Sequence, residues 1–306
     1  MMDKRRYPES DPSDATAIVA VSTASSGQII RPEATTDYQV IKLWLHGRSR
    51  HTQRAYQGDA ARLMAYTPSP LGMIRLGDLQ AFSDSLATLA GASRHRILSS
   101  IKSLFSFAHR LGYLRYDTAK ALKMPPLRDH LSERILDEAG VQRMLALETN
   151  IRNAAVLYLL YGSGIRASEL TGLRWSDVQS RPGGAQITVL GKGGKTRSIL
   201  IPAGVHARLE AIRNEAADDR PVFPGNKKKP LSTNQILRIV KCAAKRAGLN
   251  PKASTHWLRH AHASHSLDRG CPISLVQTTL GHASVATTGR YLHARPNSSS
   301  STFLPI

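Results

Sequence analysis

The chain has 306 residues, enough for two domains of about 150 residues that each bury a core. Its 42 Lys and Arg against 22 Asp and Glu leave a formal charge of +20, which argues against an ordinary enzyme of small metabolites and for a polyanionic partner. No apolar run approaches the roughly 18 residues of a membrane span, and Pro8 to Asp14 is polar where a secretion signal needs an apolar centre. Two cysteines, Cys242 and Cys271, suit neither a disulfide framework nor a metal pair. The expectation is a basic cytoplasmic protein without a membrane partner.

The charge is spread over two bodies. Residues 1–34 carry 4 basic and 5 acidic side chains, residues 35–130 carry 14 against 6, and residues 131–306 carry 24 against 11. Two basic bodies suit a polyanion gripped between them better than a single basic tether does.

In chain order, residues 1–34 are rich in Ser, Thr, Ala and Pro without periodicity, and read as a disordered tail. A helical module follows over 35–122. Tyr38, Ile41, Leu43, Trp44 and Leu45 mark its first apolar face, and Tyr56, Ala60, Leu63 and Met64 a second. A third helix carries Phe82 and Leu86. The fourth, from about Ala92 to Leu111, puts Ile97, Ile101, Leu104, Phe105 and Ala108 inside and Arg94, Arg96, Lys102 and Arg110 mostly outside. Tyr38, Trp44, Tyr56 and Phe82 are assigned to the core of this module. Residues 123–130, with Pro125-Pro126, form a linker.

The second domain spans 131–295. Helices are expected at about 137–147, 154–161 and 167–173, then strands at 185–190 and 196–201 joined by the glycine-rich hairpin Gly191 to Lys195. Five helical segments complete it, at about 203–215, 232–247, 256–268, 272–280 and 284–292. Residues 296–306 read as a flexible tail. The fold class is mainly α with a small β-sheet.

Five segments hold polar residues that packing does not require. Gly164-Ile165-Arg166 puts an arginine where a tight turn enters a helix, and a helix N-terminus suits a phosphate oxygen. Glu169 follows at a position fit either to orient Arg166 or to complement the helix dipole. Lys192 and Lys195 sit on the hairpin. His256 and Arg259 share a helix face at i and i+3. His282 follows Leu280-Gly281, and Tyr291 lies nine residues further on. His256, His260, His262 and His265 invite a zinc reading, but no glutamate follows His256 and no cysteine pair is near.

In order, spacing and context, these residues resemble the boxes of the tyrosine recombinase (phage integrase) family, in its simple form without an arm-binding domain. The resemblance covers residues 35–293. It implies an N-terminal four-helix, SAM-like core-binding domain and an α+β catalytic domain. It further implies a site-specific DNA recombinase that cleaves and rejoins strands through a 3′-phosphotyrosyl intermediate and a Holliday junction. Arg166 and Arg259 would clamp the phosphate, Tyr291 would attack it, and His256 would accept the phenolic proton. Lys192 would protonate the leaving 5′ oxygen, and His282 would donate to a phosphate oxygen. Arg94, Arg96, Lys102 and Lys195 are further candidate DNA contacts. No cofactor or metal is implied. The implied partners are double-stranded DNA, further copies of the chain (a dimer on each site, a tetramer at synapsis) and accessory DNA-bending proteins, at the nucleoid. A type IB topoisomerase shares the chemistry, and a DNA-binding protein on the same scaffold is the non-enzymatic rival. Many relatives end in a further helix that docks on a neighbouring protomer. Pro296 and the serine run forbid one here, leaving only Phe303, Leu304 and Ile306 as a short apolar peptide. Gly289, two residues before Tyr291, weakens the nucleophile's helix and implies mobility there.

Overall fold

Thr36 opens the first helix of the computed structural model. Its hydroxyl accepts from the Gln39 amide (3.3 Å) while the Gln39 side chain accepts from the Thr36 amide (3.2 Å), a capping box that starts α1 (Asp37–Leu45). The structure describes residues 34–126, 130–191, 194–225 and 229–294, in two units divided between Arg128 and Asp129. The expected disordered and flexible tails lie outside the described residues except for Ala34, which is buried in the core of the first unit. The expected terminal apolar peptide and the hairpin tip Lys192-Gly193 lie outside them as well.

In the first unit α1 is followed by α2 (Arg50–Tyr66), α3 (Leu76–Ser85) and α4 (Gly91–Arg110). Leu63, Phe82, Leu98, Ile101, Leu104 and Phe105 are completely enclosed, each worth roughly 1.5–3 kcal/mol of burial. Trp44 stacks on Tyr56 at 5.0 Å between ring centres. Tyr38, assigned to this core, is instead 75% exposed, and Leu43 is 39% exposed. The buried stripe of α1 runs through Val40 and Trp44, and at about 100° per residue Leu43 falls on its flank and Tyr38 nearly opposite it.

The basic row of α4 lies mostly outside as expected, with Arg96 and Arg110 exposed, and three of its members also find partners within the unit. Arg96 forks onto the buried carboxylate of Asp59, with Nη2 2.8 Å from Oδ1, and the Ser100 hydroxyl donates to the same carboxylate at 2.7 Å. Lys102 donates to the carbonyls of Leu122 (2.7 Å) and Lys120 (3.0 Å). Arg94 donates to the Ser83 hydroxyl at 2.9 Å and pairs with Asp84. All three tie the unit together, a role that the helical period alone does not announce.

The second unit begins with α5 (Glu138–Ala146), α6 (Ile151–Ser163) and α7 (Ala167–Gly172). A three-stranded antiparallel sheet follows in the order β1 (Val178–Arg181), β2 (Gly184–Leu190) and β3 (Thr196–Pro202), with Ile187 facing both Val178 and Ile199. The sequence reading held two strands. It missed β1 because Val178-Gln179-Ser180-Arg181 is mostly exposed and carries no apolar alternation. Gly184 at the β1–β2 turn has φ +156°, and a Cβ there would lie 2.0 Å from the Ile201 carbonyl oxygen, so only glycine fits.

The remaining helices are α8 (Ala203–Glu210), α9 (Thr233–Arg246), α10 (Thr255–Asp268), α11 (Ile273–Leu280) and α12 (Val285–Ala294). The first of these stops short of the expected residue 215, and the segment beyond it bends through positive φ at Asn214 and Glu215. Buried Val156, Leu157, Leu159 and Leu160 of α6 share one core with Ala185, Ile187 and Val189 of β2. Against that core α10 packs on α6, and on its other side it meets α11 and α12. Two parts of the chain far apart in sequence, α6 and the α11–α12 run, thereby meet along α10.

Candidate active site

Gly164 ends α6 in the left-handed conformation (φ +61°), and a Cβ there would come within 2.7 Å of both His262 and Leu280. The close approach brings the next turn, Ile165-Arg166, against α10. Arg166 caps α7: its amide donates to Glu169 Oε2 (2.8 Å) and its Nη1 to Oε1 (2.9 Å). Glu169 therefore does both things allowed by the sequence, orienting Arg166 and closing the helix start.

A second guanidinium, unforeseen in the sequence, shares this carboxylate. Arg197 of β3 forks onto both Glu169 oxygens at 2.9 Å and donates through Nε to the Thr279 carbonyl at 2.8 Å. Burial alone would raise the Glu169 pKa, but bonds from Arg197 and Arg166 overcome it and hold the carboxyl down to about 2. No local pattern announces Arg197, because its partner lies 28 residues earlier on another element.

Arg259 on α10 is 5% exposed. Its Nη1 donates to the Gly164 carbonyl and its Nη2 to the Leu280 carbonyl, each at 2.6 Å, so it clasps the ends of α6 and α11. Burial and then the neighbouring Arg166 lower its pKa to about 10, and it stays charged at neutral pH. One turn earlier, burial followed by repulsion from Arg259 and Arg166 pushes His256 below the usual imidazole range, which keeps it neutral.

Gly281 ends α11 at φ +65° and delivers His282, whose Nδ1 lies 2.9 Å from the Thr288 hydroxyl. The His282 ring lies nearly parallel to that of Tyr291, 9° between planes. Burial, then the charges of Arg259, Arg166 and Arg197, press its pKa to about 4.

Tyr291 on α12 is 5% exposed, its ring seated among Leu131, Ile135, Ala263, Val276 and Leu280. Its hydroxyl lies 2.9 Å from Nδ1 of His260. Burial raises the phenol's pKa, against the opposing charges of Arg259 and Arg290. A cleft of about 270 Å³ is lined by Arg166, His256, Arg259, His260, His282 and Tyr291, together with Leu131, Thr287 and Arg290. Five of the six expected residues thus share one cleft, and the sixth, Lys192, lies outside the described residues. Lys195 lines the neighbouring depression of about 710 Å³, which continues through Arg166 and His282.

The four histidines singled out on α10 diverge. His260 meets Tyr291, His262 Nδ1 lies 2.7 Å from the Tyr161 carbonyl, and His265 bridges the Tyr161 hydroxyl and the Leu136 carbonyl. Among the described residues no three His, Cys, Asp or Glu side chains are grouped to hold a metal. The phenol's partner, His260, was named in the sequence only within this zinc reading. Its i, i+4 spacing from His256 was the available signal that both face the cleft.

Chemically, three guanidiniums (Arg166, Arg197 and Arg259) surround one carboxylate, leaving an uncompensated positive field around a phenol and neutral imidazoles. Such a field stabilises an anion whose charge rises during reaction, and the phenol is a nucleophile able to form an ester with it.

Comparison with known proteins agrees. The model described as "Phage integrase family" matches residues 134–298, and that for "Phage integrase, N-terminal SAM-like domain" matches residues 40–112. The chain is similar to the tyrosine recombinase XerC of Rhodospirillum centenum, 34% identical over 293 residues that cover 87% of this chain and 85% of the relative. In fold it is similar to a lambda integrase dimer bound to a COC′ core site, with a TM-score of 0.68 at 18% identity over 87% of this chain and 79% of that one. A lambda integrase tetramer bound to a Holliday junction superposes with a TM-score of 0.64 at 19% identity, over 82% of this chain and 79% of that one.

Proposed function

The chain belongs to the phage integrase family of tyrosine recombinases, and from its cleft we propose how it acts as a site-specific DNA recombinase. A phosphodiester resists attack because its oxygens are already negative, and the pentacovalent state gathers more charge. Arg166 and Arg259 supply planar forks for the non-bridging oxygens, held in place by Glu169 and by two main-chain carbonyls. The Tyr291 oxygen attacks phosphorus, the P–O bond to the 5′ oxygen breaks, and a 3′-phosphotyrosyl ester and a 5′ hydroxyl result. Lys192 gives the leaving oxygen its proton. His282 donates to a phosphate oxygen, and His256 lines the cleft beside both arginines, where the family resemblance alone would make it the proton acceptor. One phosphoester replaces another, so the 5′ hydroxyl of a second strand can reverse the step without an external energy source.

The observation that carries this reading is the seat of the Tyr291 phenol in the same cleft as both arginines. Double-stranded DNA is the substrate, and Lys195 flanks the path beside the cleft. The solved relatives named above are a dimer on a core site and a tetramer on a Holliday junction. The same assembly is proposed here, two copies on a pair of inverted half-sites and four at synapsis, with accessory DNA-bending proteins as further partners at the nucleoid. Among the described residues no helix is long and apolar enough to cross a membrane.

Nicked suicide duplexes test the activity, since loss of the short strand beyond the nick traps the covalent complex. Strand exchange between two marked duplexes is the expected outcome. Relaxation of supercoils without exchange would favour a topoisomerase, and binding without any covalent complex a DNA-binding protein.

A further inference from the structure

The nucleophile's oxygen is not idle in the free protein. His260 Nδ1 stands 2.9 Å from it, with the two ring centres 5.7 Å apart. His260 follows Arg259 on α10, and both line the cleft with Tyr291. His256, the acceptor implied by the family resemblance, makes no hydrogen bond to the phenol.

We propose that His260 is a catalytic residue of this chain, the base that takes the Tyr291 proton when the phenol attacks. This rests on the reading of Tyr291 as the nucleophile. As the Oη–P bond forms, the phenolic proton passes to Nδ1 and His260 becomes an imidazolium. When the 5′ hydroxyl of a new strand attacks, the Oη–P bond breaks and the same proton returns to Oη. His256 is then released from proton transfer and is left to donate to the phosphate beside Arg166 and Arg259.

The surroundings explain why the pair rests until DNA arrives. Burial lowers the His260 pKa to about 4, followed by the charges of His256, Arg134, Arg259 and Arg290. These groups face it from its own helix, from the turn Ser132–Arg134 and from α12, and His282 lines the same cleft from the end of α11. Burial also raises the phenol, so in the free protein the proton stays on oxygen and the phenol donates to the imidazole. A phosphodiester in the cleft offsets the guanidinium charges and makes the imidazole a stronger base as the nucleophile needs one.

The test is single-turnover cleavage of a nicked suicide duplex by the full chain from pH 5 to 9, with His260→Asn, Lys192→Ala and Tyr291→Phe. A duplex with sulfur in place of the bridging 5′ oxygen serves as second substrate, because a thiolate leaves without a proton. His260→Asn is expected to cleave about 10²-fold slower or worse, with unchanged DNA affinity. Its rate should climb tenfold per pH unit as the phenol ionises to solvent, where the wild type is flat above neutrality. Sulfur should rescue Lys192→Ala and leave His260→Asn slow. His260→Gln, whose amide reaches one bond further, serves where Asn lowers the melting temperature. Cleavage by His260→Asn within threefold of wild type, a slow variant with the wild-type pH profile, or full rescue by sulfur would each overturn the proposal. A covalent complex with Tyr291→Phe, or none with the wild type, would instead remove the recombinase reading beneath it.

Discussion

The α4 row of the first unit and the cleft of the second treat their cations in opposite ways. In the first, Arg96 meets the buried Asp59 one to one, Arg94 pairs with Asp84, and Lys102 closes on two carbonyls, so charge serves as a bracket for the helices. In the second, Arg166 and Arg197 share the carboxylate of Glu169, and among the described residues the buried Arg259 has only carbonyl oxygens as hydrogen-bond partners. A matched pair holds structure but leaves no field behind. An unmatched set keeps its attraction for an incoming anion, and carries the cost of burial and then of repulsion that together lower the pKa of Arg259.

Arg259→Lys breaks the comparison hardest. An ammonium can replace one bond to the Gly164 or Leu280 carbonyl but not the fork, and cleavage should fall about 10²–10³-fold in single turnover with a much smaller change in DNA affinity. Next comes Glu169→Gln, which leaves Arg166 and Arg197 facing a neutral amide. Its folded pKa of about 2 lies below the ordinary 4.5, so the carboxylate's stabilisation is complete above pH 4.5 and is lost as the pH falls towards 2. Urea unfolding should show a deficit of about 3 kcal/mol at pH 7 that closes over that interval.

Asp59→Asn sharpens the contrast from the other side. It should cost about 1–3 kcal/mol of first-unit stability in the same assay while the second unit keeps its cleft and its cleavage chemistry. Gly289→Ala has the smallest effect. Nothing lies within 4 Å of the added methyl group, so α12 should gain about 1 kcal/mol and unfold at a slightly higher temperature. A fewfold slower cleavage would follow if movement of this helix matters, and an unchanged rate would deny that role.

Residues whose role follows from local pattern were legible in the sequence. The enclosed face of α4 follows from helical spacing, and Arg166 with Glu169 forms a capping pair three residues apart. What escaped depends on long-range pairing. Arg197 looks like any outward strand residue until β3 aligns with α7, and β1 is defined by its partner β2 rather than by its own composition. Tyr38 was misassigned because aromatic character outweighed its angular position on α1. His260 had the spacing but no visible partner until α12 folded back over α10.

The most direct measurement is the site of the covalent adduct. Suicide-trapped complex digested with trypsin and nuclease should yield a peptide beginning at Tyr291, after cleavage at Arg290, with a nucleotide bound through its 3′ phosphate to the phenolic oxygen. An adduct on any other residue, or one on this tyrosine through a 5′ phosphate, would contradict the mechanism.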